Sequence, residues 1–289
     1  MALTIAVLSQ KGGTGKTTMA RSLADIFGRI GLHTLSVDAD PQGNLSDYFD
    51  ADPAAQPTLG EVLAGQAKAV DAIHGDLIPA NLGLAEAELI LSGKMGRELT
   101  LRNALREAKR RYDAILIDCP PTLGLLTVNA LCAADRALLS SEAEYFSLQG
   151  VEQAFEVISL ARENLNPELE VLGIVLNIAN MRTKHARHTL DTLRQHFGDQ
   201  VFGTVIRRSI AYAESAERAI PILDFRPDRG VDYLRLSEEV FERLAMPEQR
   251  AQVERLMLEL VPERARPEPR AEPAAPGGIT LTVPATLSE

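Results

Sequence analysis

The sequence predicts an α/β fold, namely a doubly wound and mostly parallel sheet with helices on both faces. Short aliphatic runs, which are typical of buried strands, alternate along the chain with longer segments whose apolar residues recur at helical spacing. Strands separated by helices pair in parallel, and the helices cover both faces of the sheet. The 289 residues are 45% hydrophobic, which is enough to bury one sizeable core or two small ones. We expect a single folded domain.

The aliphatic runs and the segments with helical spacing together predict the order of the strands and helices. Six segments have the composition of buried strands, and they are Leu3–Ser9, Thr34–Asp38, Ala114–Asp118, Ala137–Ser140, Val171–Asn177 and Val201–Ile206. The clearest helical segments are Thr17–Arg29, Leu101–Arg111, Leu125–Ala133, Gln149–Asn164, His185–His196 and Tyr233–Leu244. Residues 48–98 are predicted to form short helices and turns inserted before the third of these strands.

The end of the chain has a different composition. We expect residues 1–261 to form the folded domain and residues 262–289 to form a disordered tail. The tail contains six prolines interleaved with Glu, Arg and Ala, so it cannot bury enough apolar area to offset the entropy of ordering it. Within it, Ile279–Val283 alternates like a strand, either as a short docking peptide or by chance.

Bulk composition excludes several classes of protein. No run approaches the ~20 apolar residues that a membrane-spanning helix needs, and we expect no signal peptide. Two cysteines are too few for a disulfide framework, so a cytoplasmic location is expected. The net charge is −10, yet residues 180–230 contain nine Lys or Arg against six Asp or Glu. This local excess fits either a weak DNA-binding face or ordinary surface variation.

The first strand leads into the stretch Ser9–Thr18, SQKGGTGKTT, and then into a helical segment. Glycines let successive N–H groups point at an anion, and the N-terminus of the helix adds partial positive charge. Lys16 adds a full charge, and Thr17 supplies a hydroxyl for magnesium. The pattern G-x-x-x-x-G-K-[ST] fails because Gln10 replaces its first glycine, but K-G-G-x-G-K-T-T fits. The stretch predicts binding of a nucleoside phosphate.

Acidic side chains follow two further strands. Asp38 and Asp40 lie at the end of the second predicted strand, and Asp118 ends the third. Ligands of such sheets lie outside the carboxyl ends of the strands, so we expect these acids beside the phosphate loop. Paired acids there can position magnesium and can orient or deprotonate the attacking water. An acid after an aliphatic run is the Walker B arrangement, which holds magnesium directly or through water.

These motifs resemble those of the ParA/Soj family of deviant P-loop ATPases, in the group that also contains the MinD and nitrogenase iron protein families. The similarity covers about residues 2–246. Its main motifs are Lys11–Thr18, Asp38–Asn44 and Asp118–Pro121, and it is supported by Gly124–Leu131, Glu144-Tyr145 and Tyr233-Leu234. The resemblance implies ATP and Mg²⁺ as cofactors, ATP hydrolysis to ADP and phosphate, and a homodimer in the ATP-bound state.

The resemblance also implies a role for each residue of the phosphate loop. Lys11 is the signature lysine, which reaches across the ATP-bound dimer to the partner's phosphates, and Lys16 holds the β- and γ-phosphates. Gly12 must stay small because the two loops meet at the dimer interface. The remaining nucleotide contacts fall to Gly13, Thr14, Gly15, Thr17 and Thr18, where Thr18 supports the α-phosphate.

For hydrolysis, the resemblance implies that Asp40 activates water. The implied catalytic residues are therefore Lys11, Lys16 and Asp40, and the implied magnesium site comprises Thr17, Asp38, Asp40 and Asp118. Two lysines on one phosphate group supply the charge clamp that phosphoryl transfer requires, and a lysine supplied from the partner couples catalysis to dimerisation.

Other family positions concern adenine and DNA. Adenine contacts are implied at Asn177 and at Ile206–Arg207, where Arg207 stands in place of the usual proline. Non-specific DNA contacts are implied at Arg208, with Arg182, Lys184, Arg187 and Arg218 as neighbours that are either DNA contacts or solvated surface charges. Asn180 replaces a family aspartate. No N-terminal helix-turn-helix precedes the first strand, so binding to a specific operator is not expected.

The leading hypothesis is a DNA-partition ATPase of the cytoplasm and nucleoid. Its ATP dimer binds double-stranded DNA non-specifically, and a ParB-type centromere-binding protein stimulates hydrolysis and release, for chromosome or plasmid segregation. One alternative is an orphan relative that positions a protein cargo. Another is a MinD-type ATPase that cycles on membranes, which requires a C-terminal amphipathic basic helix. An iron–sulfur ATPase would need a pair of cysteines at the dimer interface. We expect no membrane partner.

Overall fold

The computed structural model describes residues 2–144 and 147–263. Within them a parallel sheet of seven strands has the order β3-β2-β4-β1-β5-β6-β7. The strands are β1 Leu3–Leu8, β2 Thr34–Asp38, β3 Leu77–Ile78, β4 Ala114–Asp118, β5 Arg136–Glu142, β6 Glu170–Ala179 and β7 Val201–Arg207. The predicted α/β fold with a parallel sheet is confirmed.

Helices cover both faces of this sheet. They are α1 Lys16–Arg29, α2 Asn44–Tyr48, α3 Leu59–Ala64, α4 Gly83–Ser92, α5 Thr100–Ala104, α6 Leu125–Ala133, α7 Ser147–Asn164, α8 Lys184–Phe197, α9 Ala211–Glu217, α10 Ile222–Phe225, α11 Pro227–Arg243 and α12 Pro247–Leu260. Short 3₁₀ helices cover Ala69–Ala72, Arg97–Leu99, Ala108–Arg110 and Gly198–Gln200.

The core consists of two apolar layers, one on each side of the sheet. In β1, Ile5 and Val7 belong to the layer under α1 and α11, whereas Ala6 and Leu8 belong to the layer under α6 and α7. Successive side chains of a strand point to opposite faces, so a strand buried on both faces is aliphatic throughout. This burial on both faces explains why the sequences of the strands are continuous apolar runs.

The register of the sheet determines where the polar ends of the strands lie. β1 lies between β4 and β5, and Val7 of β1 pairs with Asp118 of β4. Asp38, the last residue of β2, pairs with the same Asp118. Because all of these strands are parallel, the loops that follow them meet at one edge of the sheet, which we call the carboxyl edge.

Two predicted helices were wrong in detail. The segment Leu101–Arg111 is not one helix, because α5 ends at Ala104 and a 3₁₀ helix follows over Ala108–Arg110. A 3₁₀ turn preserves the burial of apolar residues three or four apart, so periodicity does not distinguish it from a continuous α-helix. Helix α11 begins at Pro227 rather than Tyr233, since a proline in the first turn needs no N–H partner.

Several elements were not predicted. β3, Leu77–Ile78, is too short to show a period, and α9, α10 and α12 lie in stretches that the sequence analysis left unassigned. The inserted short helices and turns of residues 48–98 are present as α3, α4 and their neighbours. Most of the predicted disordered tail, including Ile279–Val283, lies outside the described residues. No helix in the described ranges has the length and apolarity needed to cross a membrane.

Candidate nucleotide-binding site

The phosphate loop, residues 9–16, runs from the end of β1 to Lys16, the first residue of α1. Gly15 precedes α1 with φ at +76°, a backbone conformation that L side chains rarely adopt. A Cβ atom at Gly15 would also lie 2.7 Å from Nδ2 of Asn177. Asn177 Nδ2 donates to the carbonyl of Gly15 and to Ser140 Oγ, and Ser140 Oγ donates to the carbonyl of Thr14. The loop is therefore fixed by strands β5 and β6, and only glycine fits at position 15.

Lys16 lies inside the loop. Its side chain is buried, and its Nζ donates to Ser9 Oγ over 3.1 Å and to the carbonyl of Lys11 over 3.4 Å. Among residues 2–144 and 147–263, the structure records no salt bridge to Lys16. A buried ammonium without a carboxylate partner is costly unless an anion neutralises it. The arrangement around Lys16 is that of a phosphate-binding site.

A cavity of about 1000 Å³ opens at the carboxyl edge beside this loop. Its lining includes Gly12, Gly13, Gly15 and the first turn of α1, together with Asp40, Asn177 and Arg208. This volume accommodates a nucleotide-sized ligand. The structure thus brings together most of the predicted phosphate-binding residues, whereas Lys11, Thr14 and Arg207 do not line the cavity.

The predicted Walker B acid lies directly beneath the first turn of α1. Thr17 Oγ1 donates to Asp118 Oδ2 over 2.6 Å, and Asp118 Oδ1 is buried without a hydrogen-bond partner. Complete burial, and secondarily the charge of Asp38, raise the pKa of the Asp118 carboxyl to about 8. A buried oxygen without a partner is one that a cation or an ordered water would satisfy.

The two acids after β2 have different environments. Asp38 Oδ2 accepts hydrogen bonds from the backbone N–H and the hydroxyl of Ser46, and burial raises the pKa of Asp38 to about 6. Asp40 accepts a hydrogen bond from the backbone N–H of Gln42 over 3.0 Å. Unlike Asp38, Asp40 lines the cavity. Of this pair, Asp40 is the carboxylate placed to meet a ligand in the cavity.

Lys11 does not line the cavity and contacts a residue outside it. Its ammonium forms an ion pair with Glu144, which follows β5, and both side chains are more than half exposed. The hydrogen bond with Glu144 raises the pKa of Lys11, and the same contact lowers the pKa of Glu144. The two lysines of one loop therefore occupy opposite settings, with Lys16 buried at the cavity and Lys11 exposed outside it. Spacing gave no signal for Glu144 as the partner of Lys11.

The far wall of the cavity contains residues that sequence reasoning missed. Ile178, Tyr212 and Tyr233 line it beside Asn177. Ile178 has φ at +51°, which is unusual for a β-branched residue, and such strain is concentrated at ligand sites. No sequence pattern indicates that strain.

Arg207 has a different partner from the one that the resemblance implied. Its Nη2 lies 2.8 Å from Asp232 Oδ1 in an ion pair, and its Nε and backbone N–H also donate to the same carboxylate. The contact to Asp232 raises the pKa of Arg207. The cavity wall is formed instead by residues that follow, namely Arg208, Ser209, Ile210, Tyr212 and Ala213. A role for Arg207 in base binding stays a prediction.

Four of the five predicted DNA contacts lie near one another. Arg182, Lys184 and Arg187 are exposed at the start of α8, and the backbone N–H of Arg208 donates to the carbonyl of Ala179 at the end of β6. We call these four the α8 basic surface. Arg218 lies apart, at the end of α9, with its guanidinium over the ring of Phe225.

A parallel sheet with a glycine loop, a buried lysine and acids at one edge defines the class of P-loop nucleotide-binding proteins. Comparison with known proteins agrees with this class. Residues 2–171 match the model of the family described as an AAA domain. The family match covers β1 to the start of β6 and so includes the phosphate loop and all three acids.

Two curated relatives identify the family. The chain is 37% identical over 245 residues to the sporulation initiation inhibitor protein Soj of Bacillus subtilis, covering 82% of this chain and 97% of Soj. It is 38% identical over 250 residues to the chromosome partitioning protein ParA of Caulobacter vibrioides, covering 83% of this chain and 94% of that protein. The chain therefore belongs to the ParA/Soj family of P-loop ATPases.

A solved structure agrees with this assignment at the level of the fold. The septum site-determining protein MinD of Pyrococcus horikoshii, in complex with Mg-ADP, superposes with a TM-score of 0.70 at 28% identity, covering 86% of this chain and 99% of that one. Membership of the P-loop ATPase family gives this chain ATP and Mg²⁺ as its cofactors.

The residues of the site fit a magnesium ion. No group of three His, Cys, Asp or Glu side chains within the described ranges forms a metal site of its own. Magnesium in nucleotide sites takes one or two protein oxygens and obtains the rest from phosphates and water. Thr17 Oγ1 and the unsatisfied Asp118 Oδ1 are oxygens of the kind that magnesium binds.

Proposed function

We propose that this protein is a partition ATPase that dimerises when it binds ATP. In this proposal the ATP dimer binds DNA without sequence preference, and a ParB-type partner stimulates hydrolysis and so releases the DNA. The observation that carries the proposal is the division of the two loop lysines. Lys16 is buried at the nucleotide cavity, whereas Lys11 is exposed outside it. Because the ion pair between Lys11 and Glu144 is exposed, it costs little to open, and Lys11 can then reach the nucleotide of a second copy.

The open space around Gly12 supports dimerisation through this surface. A Cβ atom at Gly12 would meet only Pro121 Cβ, at 3.8 Å, which is an ordinary contact. Within the described residues, neither a positive φ nor a clash of an added Cβ atom requires glycine at position 12. A close approach by a second phosphate loop would require it. We assign the interface of the ATP dimer to the exposed side of the loop that contains Lys11 and Gly12.

In the proposed reaction, the chain's own residues hold the nucleotide and position water. Lys16 binds the phosphates, and Thr17 with Asp118 holds magnesium, which neutralises charge on the phosphates when it is bound. Asp40 lies at the cavity and accepts a hydrogen bond from the backbone of Gln42, which leaves its second carboxylate oxygen for water. We assign to Asp40 the orientation of the attacking water and to Lys11 the stabilisation of charge on the partner's nucleotide.

The proposed DNA contacts lie on the α8 basic surface. We assign these exposed arginines and lysines to DNA phosphates rather than to base edges, so sequence preference is not expected. Arg208 belongs to this surface and also lines the nucleotide cavity, which provides a physical link between nucleotide and DNA. The cargo, whether a chromosome or a plasmid, is identified by the ParB-type partner rather than by this chain.

The test measures binding of the purified protein to random-sequence duplex DNA with ATP, with ADP and without nucleotide, over a series of salt concentrations. We expect binding that depends on ATP and weakens steeply as salt increases. The variant Gly12→Ala tests the interface, because within the described residues the added Cβ atom would meet only Pro121 Cβ, at 3.8 Å. It should bind ATP as a monomer and lose the ATP-dependent DNA binding.

Two outcomes would contradict the proposal. One is a wild-type dimer that forms with ATP but does not bind DNA in any nucleotide state. The other is ATP-dependent binding of the wild-type protein to anionic lipid vesicles in place of DNA, which would favour membrane cycling. Both are read from the same preparation by adding a vesicle-sedimentation arm.

A further inference from the structure

A second cavity of about 510 Å³ lies far from the nucleotide site. Its walls are Ala67–Val70 on one side and residues of the segment Asn103–Arg110 on the other. That segment ends just before β4, and the backbone N–H of Ala2, which precedes β1, donates to the carbonyl of Lys109. The cavity is thus at the amino edge of the sheet, opposite the carboxyl edge that holds the phosphate loop.

The chain around this cavity is unusually basic. The run from residue 102 to residue 111 contains one acid, Glu107, and five bases, Arg102, Arg106, Lys109, Arg110 and Arg111. The whole chain carries a net charge of −10, so this concentration of positive charge is a local feature. Lys68, Arg106 and Arg110 line the cavity, and we call these three side chains the basic groove.

For the cations of the basic groove, the described part of the chain provides no acidic partner. Arg106 Nη2 donates to the side-chain oxygen of Asn103 over 2.8 Å, which is a neutral group. The one acid in the lining, Glu107, is engaged by Arg111. For Lys68 and Arg110 the structure records no ion pair with any described residue of the chain. All three cations are exposed, so their charges are available to an external anion.

The spacing of the cations suits a repeating anion rather than a single one. Arg106 lies in the turn after α5 and Arg110 ends the 3₁₀ helix, so the rise over these four residues is about 6–8 Å. Lys68 reaches the same cavity from the facing wall. Cations in a row can contact successive phosphates of one strand, and duplex DNA supplies one negative charge per ~1.7 Å of its axis.

We propose that the basic groove binds the sugar-phosphate backbone of duplex DNA, independently of nucleotide. The choice of DNA as the polyanion rests on the proposed function. The groove lies at the edge opposite to the ATP site, so the assigned dimer interface leaves it open. An ATP dimer would then present two basic grooves in addition to the α8 basic surface. The groove contributes a weak basal affinity for DNA, and ATP adds the affinity of the second surface.

The experiment measures binding to a short random-sequence duplex without nucleotide, from about 50 mM to about 200 mM salt. The double variant Arg106→Gln, Arg110→Gln removes two exposed charges, and we expect it to weaken nucleotide-free binding. The slope of the logarithm of the DNA-binding constant against the logarithm of the salt concentration should become shallower by about two. Each lost phosphate contact reduces the steepness of that slope by about 0.9. The single variant Arg110→Glu should weaken binding at low salt by more than Arg110→Gln does.

The matched control is Arg255→Glu, which makes the same change in net charge on the exposed face of α12. We expect it to bind as the wild-type protein does. Equal weakening by Arg255→Glu would overturn the inference, because it would mean that net charge and not the groove matters. Wild-type protein that fails to bind DNA without nucleotide would overturn it too. So would nucleotide-free binding to anionic vesicles but not to DNA.

The same titration with ATP separates this inference from the proposed function. The double variant should retain the increment in affinity that ATP produces. Loss of nucleotide-free binding with a normal ATP increment supports the inference. A wild-type protein with basal binding but no ATP increment would contradict the proposed function and leave the groove supported.

Discussion

The phosphate loop and the α8 basic surface are held in different ways. The loop is fixed by hydrogen bonds from other strands, with Asn177 and Ser140 bound to its backbone, and Lys16 is buried within it. The α8 basic surface consists of exposed side chains on the ends of β6, β7 and α8. In the proposed function, geometry would determine nucleotide binding at the loop, whereas summed charge would determine DNA binding at the α8 basic surface. Substitutions should therefore have large, specific effects on the loop and small, additive effects on the surface.

The largest expected effect is that of Lys16→Ala. Because the proposal assigns the phosphates to this buried ammonium, ATP affinity should fall at least about 100-fold. Isothermal titration calorimetry with ATP measures this affinity. Lys94→Ala, which removes an exposed lysine of the α4–α5 connection, is the control and should bind ATP normally. Unchanged ATP affinity in Lys16→Ala would contradict the assignment of this lysine to the nucleotide.

The next effect in size is that of Asp40→Ala on hydrolysis. Loss of a positioned base or water-orienting group lowers kcat by about 10²–10⁴. ATP binding should persist, so the variant should accumulate as an ATP-bound dimer that stays on DNA. Phosphate release and DNA retention are measured together. Hydrolysis at the normal rate would mean that another group activates water.

Substitutions on the α8 basic surface should have smaller effects. Arg187→Ala should lower DNA affinity equally for all sequences and reduce the salt slope by about one. Hydrolysis in the absence of DNA should be unchanged. Arg255→Ala on α12 is the control of equal charge. A change in sequence preference would be inconsistent with contacts to phosphates alone.

The smallest expected effect is on stability. The pKa values of Asp38 and Asp118 are raised to about 6 and about 8, so their ionised forms destabilise the fold without ligand. This penalty is absent below the ordinary aspartate pKa of 3.8, and it grows with pH until the pH reaches those two values. Asp118→Asn keeps an acceptor for Thr17 without the charge. It should raise the thermal midpoint of the nucleotide-free protein by about 2–4 °C at pH 8.

The check is a thermal melt at two pH values. At pH 5 both carboxyl groups of the wild-type protein are largely neutral, and the difference between wild type and Asp118→Asn should shrink. With magnesium and ATP present, the order should reverse, because the variant loses an oxygen of the metal site. A variant that is less stable than the wild-type protein at pH 8 without ligand would show that the charge is compensated.

The contrast between the phosphate loop and the α8 basic surface also explains which parts of the site could be predicted from the sequence. The glycine loop, Lys16, Thr17 and the acids after β2 and β4 are encoded by short spacings within strand–loop–helix units. Those units follow from periodicity, and the rule for parallel sheets places their loops at one edge. That part of the site was therefore available from the sequence, as were the positions of the six longer strands.

The tertiary structure decided the pairings between distant parts of the chain. Lys11 with Glu144 and Arg207 with Asp232 join residues that no spacing connects. The basic groove exists only because the 3₁₀ turn before β4 lies against the segment that contains Lys68. The sequence by itself determined which chemistry is present and at which edge. Packing decided which charges are buried, paired or exposed, because such contacts depend on the three-dimensional path of the chain and not on local periodicity.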